Sequence, residues 1–280
     1  MKTLKTFFLM GIMTFILMII GNAVGGRNGM MIAFIMAGVM NFISYWYSDK
    51  IVLSMYGAQP VDENTNLYRL VERLANEADI PMPKVYIINE SQPNAFATGR
   101  NPSHAAVAVT RGLMEIVDEN ELSGIIGHEL GHVHNRDILI STVAATMAGA
   151  ITFLANMAKW AAIFGGRGDD EDRDGANPLA LIFISILAPI AAMLVQMAIS
   201  RTREYKADEF GAKVSGNPLY LANALRKLET YSRRIPMENA SPATENMFIV
   251  SPLAGSKMAN LFSTHPATAD RIKKLEEISF

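Results

Sequence analysis

The chain has 280 residues, 50% of them hydrophobic and 19% charged. Its 25 basic and 27 acidic residues leave a net charge of −2, so neither intrinsic disorder nor a charge-driven grip on nucleic acid fits the composition. It has no cysteine, which removes disulfides, thiolate metal sites and cysteine nucleophiles and leaves His, Asp and Glu to hold any metal.

The chain opens on apolar sequence. Thr6–Gly26 and Asn28–Ser48 carry no charged residue. Each is long enough for one helix to cross a bilayer core, at about 1.5 Å of rise per residue. A transmembrane hairpin is expected over residues 1–48, with helices at 4–24 and 30–47. Ala23-Val24-Gly25 would make a weak signal-peptide cleavage site, but apolar sequence resumes at Met30, which favours an uncleaved hairpin.

A polar part follows over residues 49–137. After Pro60 an amphipathic helix is expected, with Asp62 as N-cap and Leu67, Leu70, Val71, Leu74 and Ala78 on one face. Pro81 and Pro83 stop it. KVYIIN, AFATG and AAVAVTRG then read as three short strands of a small antiparallel sheet, with turns at Pro93-Asn94 and Asn101-Pro102-Ser103. Asp118 and Glu121 form a capping box for a helix that runs to Asn135.

That helix contains His128-Glu129-Leu130-Gly131-His132. A spacing of four puts both imidazoles on one helical face, where they can reach one tetrahedral metal. Glu129 lies round the helix from them and can act as general base on water. Two surface histidines on an amphipathic helix are the plain alternative. A metzincin continuation is excluded, because Asn135 and Ile138 stand where that pattern needs Gly and His.

Ile138–Ala158 and Gly175–Ser200 are again free of charge. They are expected as a second apolar hairpin over 138–200, with helices at 138–164 and 178–200 around a loop holding five acids. Their Ala, Gly and Ser content also allows buried helices of a soluble core. The second polar part, 201–280, starts with Glu204 and Asp208, four apart and hence on one helical face. One can bind the metal while the other orients a ligand imidazole; a solvated face is the alternative, and Asp137 and Glu121 are weaker candidate ligands. A hairpin at 138–200 would return Glu204 to the level of His132. Residues 232–261 are rich in Pro, Ser, Asn and Gly and read as a loop. His265 precedes a final helix opened by Pro266. It suits either donation to a developing oxyanion or a structural role at the helix start.

Lys2 and Lys5, then Lys50, Arg69 and Arg73, then Arg201, Arg203 and Lys206 flank the apolar windows on one side. The positive-inside rule places both termini and both polar parts in the cytoplasm.

NAFATG (94–99), HELGHVHNRD (128–137), SRTREYKAD (200–208) and FSTHPATADRI (262–272), with the two apolar hairpins, resemble the HtpX family, membrane-bound relatives of the CaaX prenyl proteases. The resemblance covers essentially the whole chain. It implies a membrane protein, mainly α with a small antiparallel β-sheet: a gluzincin-type zinc peptidase domain carrying two apolar helical hairpins. It implies one catalytic Zn2+ held by His128, His132 and Glu204, with Glu129 as catalytic acid and base. Asp208 would support a zinc histidine, and His265 would face the substrate carbonyl. Asn94, Ala95, Phe96 and Ala97 would be an edge strand pairing with substrate backbone. Arg271 would form a buried ion pair near the site. The implied setting is the bacterial inner membrane, where the enzyme degrades misfolded or damaged membrane proteins under stress. A non-catalytic membrane chaperone on the same scaffold would be favoured if Glu129 or a ligand were missing, and all are present.

Overall fold

A computed structural model describes residues 2–164, 200–232, 234–235, 237, 241, 243–251 and 266–279. The expectations for the acidic loop, for the fourth apolar window up to residue 199 and for His265 lie outside the described residues.

The first element, α1 (Lys2–Trp46), is helical throughout but doubles back on itself. Gly26 adopts φ +58°, the left-handed conformation that glycine reaches without a Cβ penalty. Past it the backbones nearly touch: a Cβ on Gly21 would sit 2.5 Å from the Gly29 carbonyl oxygen. Further along, Asn41 Nδ2 donates to Thr14 Oγ1 at 2.9 Å, and the Phe7 and Tyr45 rings stack with centroids 5.9 Å apart. The outer faces of both arms are apolar and open. Phe8, Phe15, Ile32, Phe34 and Phe42 are each more than half exposed, which is costly in water and natural in lipid. Among the described residues Gly26–Trp46 is the one helix long and apolar enough to cross a membrane; Leu4–Ile19 and Ile138–Thr152 are shorter apolar helices.

After α2 (Ser48–Met55) and β1 (Gln59–Pro60) comes α3 (Asn66–Glu77). Thr65, not Asp62, caps α3 by accepting from the Tyr68 N–H at 3.2 Å. Asp62 instead accepts from the Asn64 N–H at 2.8 Å, fixing the turn before the helix. The apolar stripe is as expected, with Leu67, Leu70, Val71 and Leu74 buried.

The sheet is mixed rather than antiparallel. Its order is β1–β2–β4–β3, with β2 (Lys84–Ile88) parallel to β4 (Ala105–Thr110) and β3 (Ala95–Gly99) antiparallel to β4. The segment from β2 to β3 is not a hairpin turn; it carries the chain one strand-width further, and β4 fills the gap. Thr110 pins this link, donating its hydroxyl to the Gln92 carbonyl at 2.8 Å while its Oγ1 accepts from the Asn94 N–H at 2.9 Å. The central β4 is buried along its whole length. Ala105, Val107 and Val109 join one core with Leu70, Ile126 and Leu225, while Ala106 and Ala108 face a second core with Val52, Tyr56, Phe96 and Phe248.

The helices that follow are α4 (Arg111–Ile116), α5 (Glu119–His134), α6 (Ile138–Phe164), α7 (Arg201–Ser215), α8 (Pro218–Ser232) and α9 (Thr268–Glu276). The capping box at the start of α5 forms: Glu121 N–H donates to Asp118 Oδ1 and Asp118 N–H to Glu121 Oε2, both at 2.9 Å. The start of α6 belongs to the polar part. Ile138 is in the main core, and Thr142 Oγ1 lies 3.1 Å from Thr98 Oγ1 on β3. Farther along α6, Val143 and Met147 pack on Leu9 and Met13 of α1.

α5 and α7 approach at backbone distance because small residues face each other. A Cβ on Gly211 would lie 2.6 Å from the His128 nitrogen, and one on Gly131 would lie 3.0 Å from the Ala207 Cα. Since the obstacle is backbone, Gly211→Ala must push the helices apart. We expect it to cost about 1–3 kcal/mol and to loosen the contact between α5 and α7, read as a lower thermal midpoint and faster amide exchange in the two helices. Gly149→Ala in α6, where nothing lies within 4 Å of the added carbon, is the matched control and should leave both unchanged.

Candidate metal centre

α5 presents His128 and His132 one turn apart, and the close crossing brings Glu204, in the first turn of α7, against both. His128 Nε2 and His132 Nε2 face each other at 3.2 Å. Glu204 Oε1 is 3.5 Å from His132 Nε2, and Glu204 Oε2 is 3.8 Å from His128 Nε2. A tetrahedral ion with bonds of about 2.0–2.2 Å needs ligand atoms about 3.3–3.6 Å apart. The three separations bracket that range, with Glu204 turning a different oxygen to each imidazole, so the cluster has the size such an ion needs.

Each histidine has a carboxylate behind it. His128 Nδ1 donates to Asp208 Oδ1 at 2.8 Å, which leaves the Nε2 lone pair turned toward Glu204. Asp208 is in turn gripped by Arg271 of α9, from Nε to Oδ2 at 2.9 Å and from Nη2 to Oδ1 at 2.6 Å. Arg271 Nη1 also donates to the Ile249 carbonyl at 3.0 Å, and this arginine is only 2% exposed. On the other side, His132 Nδ1 lies 3.9 Å from Asp137 Oδ2, and Asp137 Oδ1 lies 3.8 Å from Arg203 Nη1.

Burial, reinforced by the Arg271 charge, pushes the His128 pKa down to about 4, so its ring is neutral and able to ligate. Burial also depresses His132, but the surrounding carboxylates, Glu204 first, outweigh it and raise its pKa to about 9. The cluster thus holds an extra proton where a cation fits. Burial lifts Glu129 to about 7, and Glu204 adds to the rise, while His132 and the Ala97 N–H work against it. Burial works against the Asp208 carboxylate too, yet Arg271 prevails and holds it down to about 2.

His128, Glu129, His132, Glu204, Asp208 and Arg271 thus come together. The Asn94–Ala97 edge is only partly as expected. Ile249 N–H donates to the Ala95 carbonyl at 3.1 Å, Phe96 bridges Phe248, and Asn94 Nδ2 donates to the Val250 carbonyl at 3.0 Å. The chain's own segment therefore covers the N-terminal half of that edge, driven by Phe248 packing on Phe96 with ring centroids 5.1 Å apart. Ala97 remains, its N–H directed to Glu129. By strand alternation its carbonyl also turns away from β4.

Sequence reasoning weighed Asp137 only as a ligand and missed its place behind His132. That place depends on the turn after α5, where Arg136 takes φ 56° and Asp137 N–H donates to the His132 carbonyl at 2.9 Å. Asn246, in the wall of the same pocket, carried no sequence signal at all.

A family model described as Peptidase family M48 matches residues 62–279. A protein named Protease HtpX homolog from Desulforapulum autotrophicum is 58% identical over 274 residues, covering 97% of this chain and 88% of its own. Another of that name from Syntrophotalea carbinolica is 54% identical over 279 residues, covering 100% of this chain and 99% of its own. Among solved structures, the crystal structure of S. mikatae Ste24p aligns with a TM-score of 0.54 at 17% identity, covering 98% of this chain. This chain spans 65% of that longer one, and the likeness is one of fold.

Proposed function

The chain belongs to peptidase family M48, and from that premise we propose that it is a membrane-bound, zinc-dependent endopeptidase whose centre is His128, His132, Glu204 and Glu129. The observation that carries this reading is the convergence of the two imidazole Nε2 atoms, 3.2 Å apart, on the Glu204 carboxylate, whose oxygens lie 3.5 Å from one and 3.8 Å from the other. Glu129, one residue after the first histidine, is buried beside it.

A zinc ion bound there would supply Lewis acidity, polarising a substrate carbonyl and making water a nucleophile near neutral pH. Glu129 is poised to take a proton from the attacking water and return it to the leaving amine. Burial favours its taking up that proton, and the Ala97 N–H is directed at its carboxylate. Asp208 and Asp137 hold the two imidazoles in register, and Arg271 holds Asp208. His265 is proposed as a donor to the developing oxyanion. The outward Ala97 carbonyl is the part of β3 proposed to meet substrate backbone. Recognition through backbone predicts broad sequence preference, as suits misfolded or damaged membrane proteins.

We further propose that the two apolar hairpins, 1–48 and 138–200, anchor the enzyme in a bacterial inner membrane, with the polar parts 49–137 and 201–280 in the cytoplasm. The exposed phenylalanines of α1 support the first hairpin.

The test is zinc-dependent cleavage of unfolded casein by the purified full-length protein. Activity should vanish with a chelator and return with zinc; cleavage that persists in metal-free protein would sink the reading. Glu204→Ala should lower bound zinc from one ion per chain to a small fraction, measured by atomic absorption. A further expectation follows from His132. Its pKa of about 9 means it is protonated at pH 7.5 in the metal-free protein, and a ligand must be neutral. Zinc binding should therefore release about one proton, seen by calorimetry as a dependence of the heat on buffer ionisation enthalpy. Equal heats in phosphate and Tris would contradict it.

A further inference from the structure

The pocket is also lined by the stretch Asn246–Ile249, which leads from a short 3-10 turn (Glu245–Met247) onto the edge of β3. This stretch is firmly held. Ser251 Oγ donates to Glu245 Oε1 at 2.8 Å, Phe248 sits between the rings of Tyr56 and Phe96, and Ile249 is bonded through both its N–H and its carbonyl. Asn246 stands apart from these neighbours. It is 7% exposed, and both its Nδ2 and its Oδ1 are buried without a hydrogen-bond partner among the described residues. It lines the pocket with His128, Glu129, His132 and Glu204.

A buried amide with neither end satisfied costs folded-state stability, and an apolar side chain of the same shape would not. Proteins keep such local violations mainly where they work. A carboxamide carries a donor and an acceptor side by side, the complement of one peptide unit's carbonyl and N–H. A peptide in this pocket needs such a partner, because the Ala95 carbonyl on β3 is already taken by Ile249. Ala97 is left, and Asn246 lines the same pocket.

We propose that Asn246 is a substrate-positioning residue whose side-chain amide holds one backbone peptide unit of the bound polypeptide. The inference rests on the peptidase reading above. It deepens that reading by giving backbone recognition a second anchor, supplied by a side chain rather than a strand.

The test uses the zinc-loaded full-length enzyme and a quenched fluorescent peptide taken from a mapped casein cleavage point. A set of ester analogues of that peptide replaces one backbone N–H at a time by oxygen. In the wild type, one ester position besides any that faces the Ala97 carbonyl should raise KM by roughly tenfold, and this is the penalty that reports on Asn246. Asn246→Leu should raise KM for the all-amide peptide by a similar factor and abolish the ester penalty, with zinc content unchanged and the thermal midpoint equal or higher. Asn246→Ala should reproduce the kinetic changes. The proposal is overturned if either variant keeps wild-type KM, if the ester penalty survives in both, or if Asn246→Leu loses stability and kcat together as a packing residue would. Loss of zinc-dependent cleavage in the wild type would instead remove the peptidase reading itself, so the two failures are distinct.

Discussion

Glu129→Gln is expected to lower kcat by about 10²–10⁴-fold while zinc stays bound at the wild-type level. The change is nearly isosteric, and Glu129 is 1% exposed in a packed helix, so the fold has no reason to respond. The Ala97 N–H still finds an acceptor in the glutamine carbonyl. What disappears is the group that can take up and give back a proton. Metal binding should hold, since the site's own anion is Glu204. A Glu129→Gln enzyme with full turnover would remove Glu129 from the chemistry, and one that lost its zinc would make Glu129 part of the metal site. Casein cleavage and metal content measured on the same preparation separate these outcomes.

Arg271→Met should have the largest effect on stability. Arg271 and Asp208 are 2% and 3% exposed and paired by two hydrogen bonds. Removing the cation leaves a buried carboxylate uncompensated, at a cost of about 3–5 kcal/mol. For a protein of this size the thermal midpoint should fall by roughly 5–15 °C. Zinc affinity should fall by about 10–100-fold, because Asp208 no longer holds His128 in one orientation. The double variant Asp208→Leu/Arg271→Met should regain most of the stability, having no orphaned charge, but not the zinc affinity. A single variant with the wild-type midpoint would show that the pair does not stabilise the fold. The pH dependence has a definite sign. Asp208 is held at about 2 against the usual 3.8, so its contribution is complete above the usual value and is lost as the pH falls toward 2. Acid should therefore weaken the wild type and narrow its difference from the double variant.

What could be read directly from the sequence was local. Asp118 and Glu121 are three residues apart and cap their helix without help from elsewhere, and the spacing of His128 and His132 sets their common face. The order of the strands was not local. It depends on β4 entering between β2 and β3, which only the long link at Thr110 and Gln92 allows, and three short apolar runs look alike in either arrangement. Asp62 and Thr65 are both good cap residues, and the turn at Asn64 decided between them. Glu204 was a candidate because a hairpin could return it to His132, whereas its fit depends on Gly127, Gly131, Ala207 and Gly211 letting two backbones nearly touch. Asn246 could not be found by pattern, since an unsatisfied amide is defined only by what surrounds it.

The way the centre is gathered from distant stretches also sets a schedule. His128, Glu129 and His132 leave the ribosome first, then Glu204 and Asp208, and last Arg271, made 143 residues after His128. Until Arg271 arrives, Asp208 lacks the cation that fixes it behind His128. A chain made only as far as α7 therefore lacks the buried cation that holds Asp208 behind the first ligand. The arginine that ties α9 to the first ligand makes the centre the joint work of stretches far apart in the chain, so its order depends on the folding of both.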